Sequence, residues 1–245
     1  VQYQEQGVMD VNNSYQIMPG YSSPSALHLE TILWFDSGIG MNDTVFGFAV
    51  NNNVNIGNFE GFPYSDTVDL FTCWYKSGIV PGDQGLILIE LSKNGVVYST
   101  TAYPIVGNQS SWTMLNIPLL GGASEEPDSI FIGLVSSDPF TAGVPEPGSW
   151  LEIDAMTFSF VSGSATPGPI PNNSFENWTT ETISQPQDWT SFDPQMYNTT
   201  GTVYVTESST ASHMSSSLQI ETTFENIMFN IPSLVTNGYY IIGDD

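Results

Sequence analysis

Two histidines, one cysteine and 26 carboxylates are the residues of this 245-residue chain with types suited to acid–base or covalent chemistry. A nucleophile needs a base held beside it and a third group that orients the base. His28 stands between Leu27 and Leu29 in "ALHLE", so strand alternation turns it away from a core, and His213 lies in the Ser-rich "STASHMSSS". Neither has a partner in the pattern around it. Cys73 alternates with Thr72 and Trp74 in "DLFTCWYKSG" and reads as a small core hydrophobe. A lone cysteine makes no intrachain disulfide. Most carboxylates fall in turns such as "FDSG", "PGDQG" and "SEEPDS", where they bond the local backbone. A glycosidase pair among so many is possible in principle, but placement in turns argues against it. No Cys/His metal cluster and no Gly-rich phosphate loop occurs. The chain reads as non-enzymatic. The other chemistry within reach is aromatic stacking on a ligand. Trp34 in "ILWFDSG", Trp112 in "SWTMLNIPL" and Trp150 in "GSWLEID" are the candidate ligand-binding platforms, with Trp34 foremost because a Gly-rich loop adjoins it. Trp74, Trp178 and Trp189 read as core, where large rings most often sit.

The elements that must position these residues are strands. Short runs of alternating apolar residues recur between Gly, Pro, Asn and Asp clusters, which is the pattern of an all-β sandwich. The expected strands are "ALHLETILWF", "TVFGFAVNNNVNI", "TVDLFTCWYKS", "GLILIELSK", "VVYSTTAYPI", "SWTMLNIPL", "SIFIGLVSS" and "SWLEIDAMTFSFV". Such a set predicts a jelly roll, two facing antiparallel sheets. Asn94-Gly95 between apolar runs predicts a type I′ hairpin. Pro118 belongs at a strand end or a sheet edge.

Charge narrows the partners. Lys76 and Lys93 are the only basic residues, and the formal net charge is −24. Phosphate backbones and anionic membranes require the basic patch this chain lacks, so nucleic acid is excluded. No run of about 18 apolar residues exists for membrane insertion. Low overall charge density with abundant Ser, Thr, Asn and Gly fits an extracellular or outer-surface protein.

"SALHLET" at 25–31 returns as "SSLQIET" at 216–222, 191 residues later. Self-similarity at that distance points to tandem domains. The run "SGSATPGPIPNN" reads as a semi-rigid linker. The expected organisation is a jelly-roll sandwich over 1–162, a linker over 163–171, and the first half of a related sandwich over 172–245. Half a sandwich leaves open edges, so neighbouring domains or identical chains are the expected partners.

Several segments carry a resemblance. Phe175, Glu176, Trp178, Pro186 and Trp189 form an opening motif. Leu27, Leu29, Glu30 and Thr31 form a second, repeated at Leu218, Ile220, Glu221 and Thr222. Gly61, Pro63, Tyr64, Tyr75 and Lys76 form a middle motif, and Gly148, Ser149, Leu151 and Asp154 a final one. On these the chain resembles the jelly-roll modules of large secreted Bacteroidetes proteins, including the carbohydrate-metabolism domains abbreviated PCMD, which are similar to carbohydrate-binding modules and travel as type IX secretion cargo. Ala155 departs from the pattern, which has a second Asp there. The resemblance implies a structural calcium joining the opening segment to the last strand, with Glu176 as a ligand in the second domain and Asp154 as one in the first, half a site in each. It also implies O-glycans on Asp-Ser/Thr-apolar triplets, here at Thr44, Thr67 and Ser129. Two functions follow as expectations. One is a structural, adhesive or filament-forming repeat of a surface protein. The other is a carbohydrate-binding module for surface glycans, stabilised by calcium.

Overall fold

The computed structural model describes residues 13–36, 41–51, 54–55, 58–59, 61–122, 124–140, 145–160, 168–178, 190–191, 205–210, 217–220, 223–224, 230–231 and 235–236. All regular structure among them is strand. Fourteen strands precede residue 160: β1 Ser14–Ile17, β2 Ala26–Glu30, β3 Ile32–Asp36, β4 Met41–Val45, β5 Phe48–Val50, β6 Val54–Asn55, β7 Asn58–Phe59, β8 Phe62–Pro63, β9 Leu70–Gly78, β10 Gly85–Lys93, β11 Val96–Ile105, β12 Asn108–Pro118, β13 Ser129–Val135 and β14 Trp150–Ser159. One sheet runs β1-β2-β14-β9-β12 and the other β11-β10-β13-β5, with β8 also paired to β13. Every pair of neighbours in these two sheets is antiparallel.

The period of two decides which residues meet. The first sheet sends Leu27, Leu29, Phe71, Cys73, Leu115, Ile117, Leu151 and Ile153 inward. The second answers with Ile87, Ile89, Leu91, Ile130, Ile132 and Leu134, and all belong to one buried cluster. Burying a side chain of this size contributes about 1.5–3 kcal/mol. The chain is therefore an all-β sandwich. Asn94 and Gly95 take φ of 52° and 73°, as a type I′ turn between β10 and β11 requires. Pro118 is the last residue of β12, the edge of its sheet.

Two expected strands are broken. "ALHLETILWF" divides at Thr31, so that β2 joins the first sheet while β3 pairs with β4. Thr31 is buried. Its N–H donates to Ser149 O and its hydroxyl bonds those of Ser136 and Ser137. "TVFGFAV" divides at Gly47, where a Cβ would collide with Asn13 O and the Glu30 amide.

Residues 163–167 of the linker expected at 163–171 lie outside the described residues; its end and the start of the expected second domain differ from expectation. Residues 168–178 lie against the sandwich. Ile170 enters its core and Phe175 packs on it. Asn173 and Met156 exchange hydrogen bonds, Gly168 N–H donates to Asp66, and Tyr64 OH donates to Gly168 O. Proline fixes the path of this strap, and the apolar side chain of Ile170 gives it a reason to dock.

Beyond residue 178 the described strands are β15 Thr190–Ser191, β16 Val205–Ser208, β17 Ser217–Ile220, β18 Thr223–Phe224, β19 Asn230–Ile231 and β20 Val235–Thr236, in three antiparallel pairs. The β16–β17 pair reproduces β1–β2. Ser14↔Leu29, Tyr15↔His28, Gln16↔Leu27 and Ile17↔Ala26 recur as Val205↔Ile220, Thr206↔Gln219, Glu207↔Leu218 and Ser208↔Ser217, each 191 residues later.

Candidate binding face

The residues that the core does not take from the first sheet form its outer face. Alternation places Trp74, Lys76 and Gly78 of β9 there, with Trp150, Glu152 and Asp154 of β14, His28 and Glu30 of β2, Tyr15 of β1, and Trp112 and Met114 of β12. Register lines several of them up. Tyr15 stands opposite His28, His28 opposite Glu152, and Glu152 opposite Lys76. Lys76 Nζ lies 4.5 Å from the centroid of the Trp112 ring on the fifth strand. One row thus crosses the whole sheet.

The row is held by charge and stacking. Lys76 Nζ donates to Glu152 Oε2 at 2.9 Å, and His28 Nδ1 lies 3.3 Å from Glu152 Oε1. An ionised carboxylate only accepts, so Nδ1 carries the proton toward it. Burial pushes the Glu152 carboxyl up. Hydrogen bonds from His28 and Lys76, with their charges, outweigh that and hold it below the usual carboxylate range. His28 is sandwiched at 4.5 Å from Tyr15, with the Trp150 ring nearly parallel at 5.9 Å. Its Nε2 is buried with no hydrogen bond, and Glu30 Oε2 is 3.7 Å away. Burial, then Glu30 and Glu152, raise the Tyr15 phenol above its ordinary value, so it stays a neutral donor.

Two ring surfaces lie beside this row. Trp150 rests over Gly78, where a Cβ would collide with its Nε1 and ring carbons. Glycine gives the indole its seat against the backbone, and Glu30 stands opposite Trp150 on the neighbouring strand. On the other side of the row, Tyr21 lies on Trp74 with centroids 3.5 Å apart and planes 12° from parallel. Tyr21 is the more exposed partner, and Met114 next to Trp74 is half exposed. The face therefore offers two ring surfaces with a lysine, carboxylates and a phenol between them, the chemistry that recognises a sugar's C–H face and its hydroxyls.

Asp154 is fully buried at the edge of this face. It accepts from Tyr21 N–H at 2.6 Å, Ala155 N–H at 2.6 Å and the Ser23 hydroxyl at 3.2 Å. Glu176 reaches the same loop from the strap and accepts from Ser25 N–H at 3.0 Å, while the Ser25 hydroxyl donates to Phe175 O at 2.7 Å. Hydrogen bonding from this loop, Ser23 foremost and then the Ser25 amide, holds Glu176 below the usual carboxylate range. The two residues expected as half-sites of separate domains thus fasten one loop of one sandwich, because the strap folds back. Calcium takes about six to eight oxygen ligands with lone pairs turned toward it. Here both Asp154 oxygens and Glu176 Oε1 face N–H or O–H donors, and Ser25 O and Phe175 O also accept from hydroxyls. Among the described residues no three of His, Cys, Asp and Glu gather as metal ligands. The residues do not fit the implied ion.

The other expected site residues fall elsewhere. Trp34 sits on β3 opposite Asp43 of β4; β3 pairs with β4 and belongs to neither sheet of the sandwich, and the Trp34 side chain lies outside the described residues. Trp112 and Trp150 share the outer face. Trp74, expected in the core, is on that face too, since β9 points Phe71 and Cys73 inward. Trp178 is 41% exposed and donates to Phe175 O; His213 and Trp189 lie outside the described residues. Thr44 is on β4, Thr67 precedes β9 and Ser129 opens β13, all half-buried. Cys73 is fully buried, which pushes its thiol up to about 12 and leaves it inert. The sequence reading missed Tyr15, Tyr21, Lys76 and Glu152. Lys76, one of only two lysines and placed inside an apolar strand, was the available signal. An open groove lined by Tyr64, Lys93, Glu126 and Asp128 lies at the end of the second sheet. Its lysine is spent on the Glu126 carbonyl.

No family model matches the chain, and no curated protein matches it. Among solved structures it is similar to a putative glycoside hydrolase from Bacteroides thetaiotaomicron, at 16% identity and a TM-score of 0.44, over 61% of this chain and 57% of that one. The match spans little more than half of that protein, and no chemistry carries over from it.

Proposed function

We propose that the chain is a non-catalytic carbohydrate-binding β-sandwich, a module of a tandem surface or secreted protein that holds neutral glycans. The observation that carries this reading is the outer face of the first sheet, where the Trp150 and Tyr21–Trp74 ring surfaces flank the Tyr15–His28–Glu152–Lys76–Trp112 row. Neutral rather than acidic sugars suit it, because a chain of net charge −24 repels anions. Binding rather than hydrolysis suits Glu152, whose two oxygens are already engaged by Lys76 and His28. The recurrence of the β1–β2 pairing at β16–β17 supports a tandem array, the setting in which such modules also serve adhesion.

A glycan array spanning neutral and acidic sugars tests this. Neutral oligosaccharides are expected to be retained, and Trp150→Ala is expected to weaken them at least tenfold, about 1.4 kcal/mol, with little change in melting temperature. Retention of no glycan by the wild-type chain refutes the reading.

A further inference from the structure

We propose that Asp154 and Glu176 close an ion-free clasp on the 20–25 loop, and that Asp154 is a positioning residue that holds the Tyr21 ring on Trp74. The clasp stands on its own; its service to the binding face rests on the function proposed above. Both carboxylates act on one short loop. Asp154 comes from β14 and takes the Tyr21 amide, and Glu176 comes from the strap and takes the Ser25 amide. Ser23 belongs to the same loop, and its one hydroxyl proton goes to Ser25 O at 2.9 Å or to Asp154 Oδ2 at 3.2 Å. The loop fits because Gly20 has no side chain; a Cβ there would collide with Ser25 O and Asp154 Oδ2.

The backbone around both carboxylates is bent to this purpose. Ala155, after Asp154, has φ 49°, and Phe175, before Glu176, has φ 54°. Residues with a Cβ adopt that region only when surroundings enforce it. At Ala155 the conformation belongs to a bulge between β14 and β9, where the register shifts between Asp154 and Thr157. The bulge lets the Ala155 amide turn back onto Asp154 Oδ1 at 2.6 Å. Each Asp154 oxygen thus already accepts a backbone amide proton. A buried carboxylate needs such donors, and here it has them from the backbone itself. The consequence at the face is direct. The amide that Asp154 fixes is that of Tyr21, whose ring covers Trp74, the residue opposite Asp154 on β9.

The test is thermal melting of the full chain followed by near-ultraviolet circular dichroism, which reads the Tyr21–Trp74 stack, in EDTA and in equal concentrations of calcium or magnesium chloride. Calcium and magnesium are expected to move the melting temperature alike, since both only screen the chain's charge. A stabilisation by calcium several degrees beyond that by magnesium overturns the ion-free clasp. Asp154→Ala is expected to lose the aromatic band. Asp154→Asn, which keeps one acceptor for the Tyr21 amide, is expected to retain part of it. Tyr21→Ser should lose the band with an unchanged melting temperature. If Asp154→Ala does not fold, Ser23→Ala serves in its place and is expected to weaken the band. An Asp154 variant that melts lower yet keeps the wild-type band overturns the positioning role. A chain that passes these tests but binds no glycan keeps the clasp and loses only the binding function.

Discussion

The β1–β2 and β16–β17 pairs share a register and differ in what they present. In the first, Tyr15 and His28 stack across the strands and continue into Glu152, Lys76 and Trp112. In the second, Thr206 and Gln219 stand at the same two places, and Gln219 is exposed. Pairing is carried by backbone hydrogen bonds and by the apolar positions on either side, Leu27 and Leu29 against Leu218 and Ile220. Those are the positions the repeat keeps. The proposed recognition chemistry rests on the outward residues, which pairing leaves unconstrained because they face away from the core. Two copies of one hairpin can therefore be one scaffold with a single equipped face.

The harshest way to break this comparison is to remove a scaffold residue. Leu29→Ala deletes a fully buried side chain of the first sheet. It is expected to cost about 2–5 kcal/mol, read as a shift of the urea midpoint with an unchanged slope. Writing the second copy's residues into the first is more selective. The double change Tyr15→Thr and His28→Gln is expected to preserve the fold while weakening glycan binding roughly tenfold, about 1.4 kcal/mol, measured by calorimetric titration. Acid titration probes the row through Glu152. Its carboxyl is held low in the folded chain, so its stabilising contribution is full above the unfolded value near 4.3. That contribution is lost as pH falls through the folded value. Melting temperature is therefore expected to fall more steeply between about pH 5 and pH 3 in the wild type than in Glu152→Gln. The smallest effect is expected in the second copy, where Gln219→His at an exposed position should change stability by less than about 0.5 kcal/mol.

How much of this was legible in the sequence depended on how local the cause is. The Asn94-Gly95 turn and the inward alternation of Phe71 and Cys73 are set by residues a few positions apart, and the structure follows them. Thr31 looked like the middle of a long strand because its apolar neighbours on both sides alternate. What breaks it is Ser136, Ser137 and Ser149, far away in the chain. Trp74 read as core because it is large and lies in an apolar run, yet the same alternation that buries Cys73 sends it outward. The row across five strands could not be seen at all before the register was known, since His28, Lys76 and Glu152 come from distant segments. The strap misled for a related reason. Ser, Gly and Pro in "SGSATPGPIP" signal a linker, and only the burial of Ile170 reveals that its end docks. Once it docks, Glu176 arrives beside the loop that Asp154 also holds, and two supposed half-sites become one hydrogen-bonded clasp.

The most direct measurement is calorimetric titration of a neutral oligosaccharide retained on the array into the wild-type chain, Trp150→Ala, and the Tyr15→Thr/His28→Gln double variant. The account predicts one saturable site in the wild type, weakened about tenfold or more in both variants, with melting temperatures close to that of the wild type. Equal affinity in all three, with the fold intact, would contradict the assignment of binding to the outer face of the first sheet.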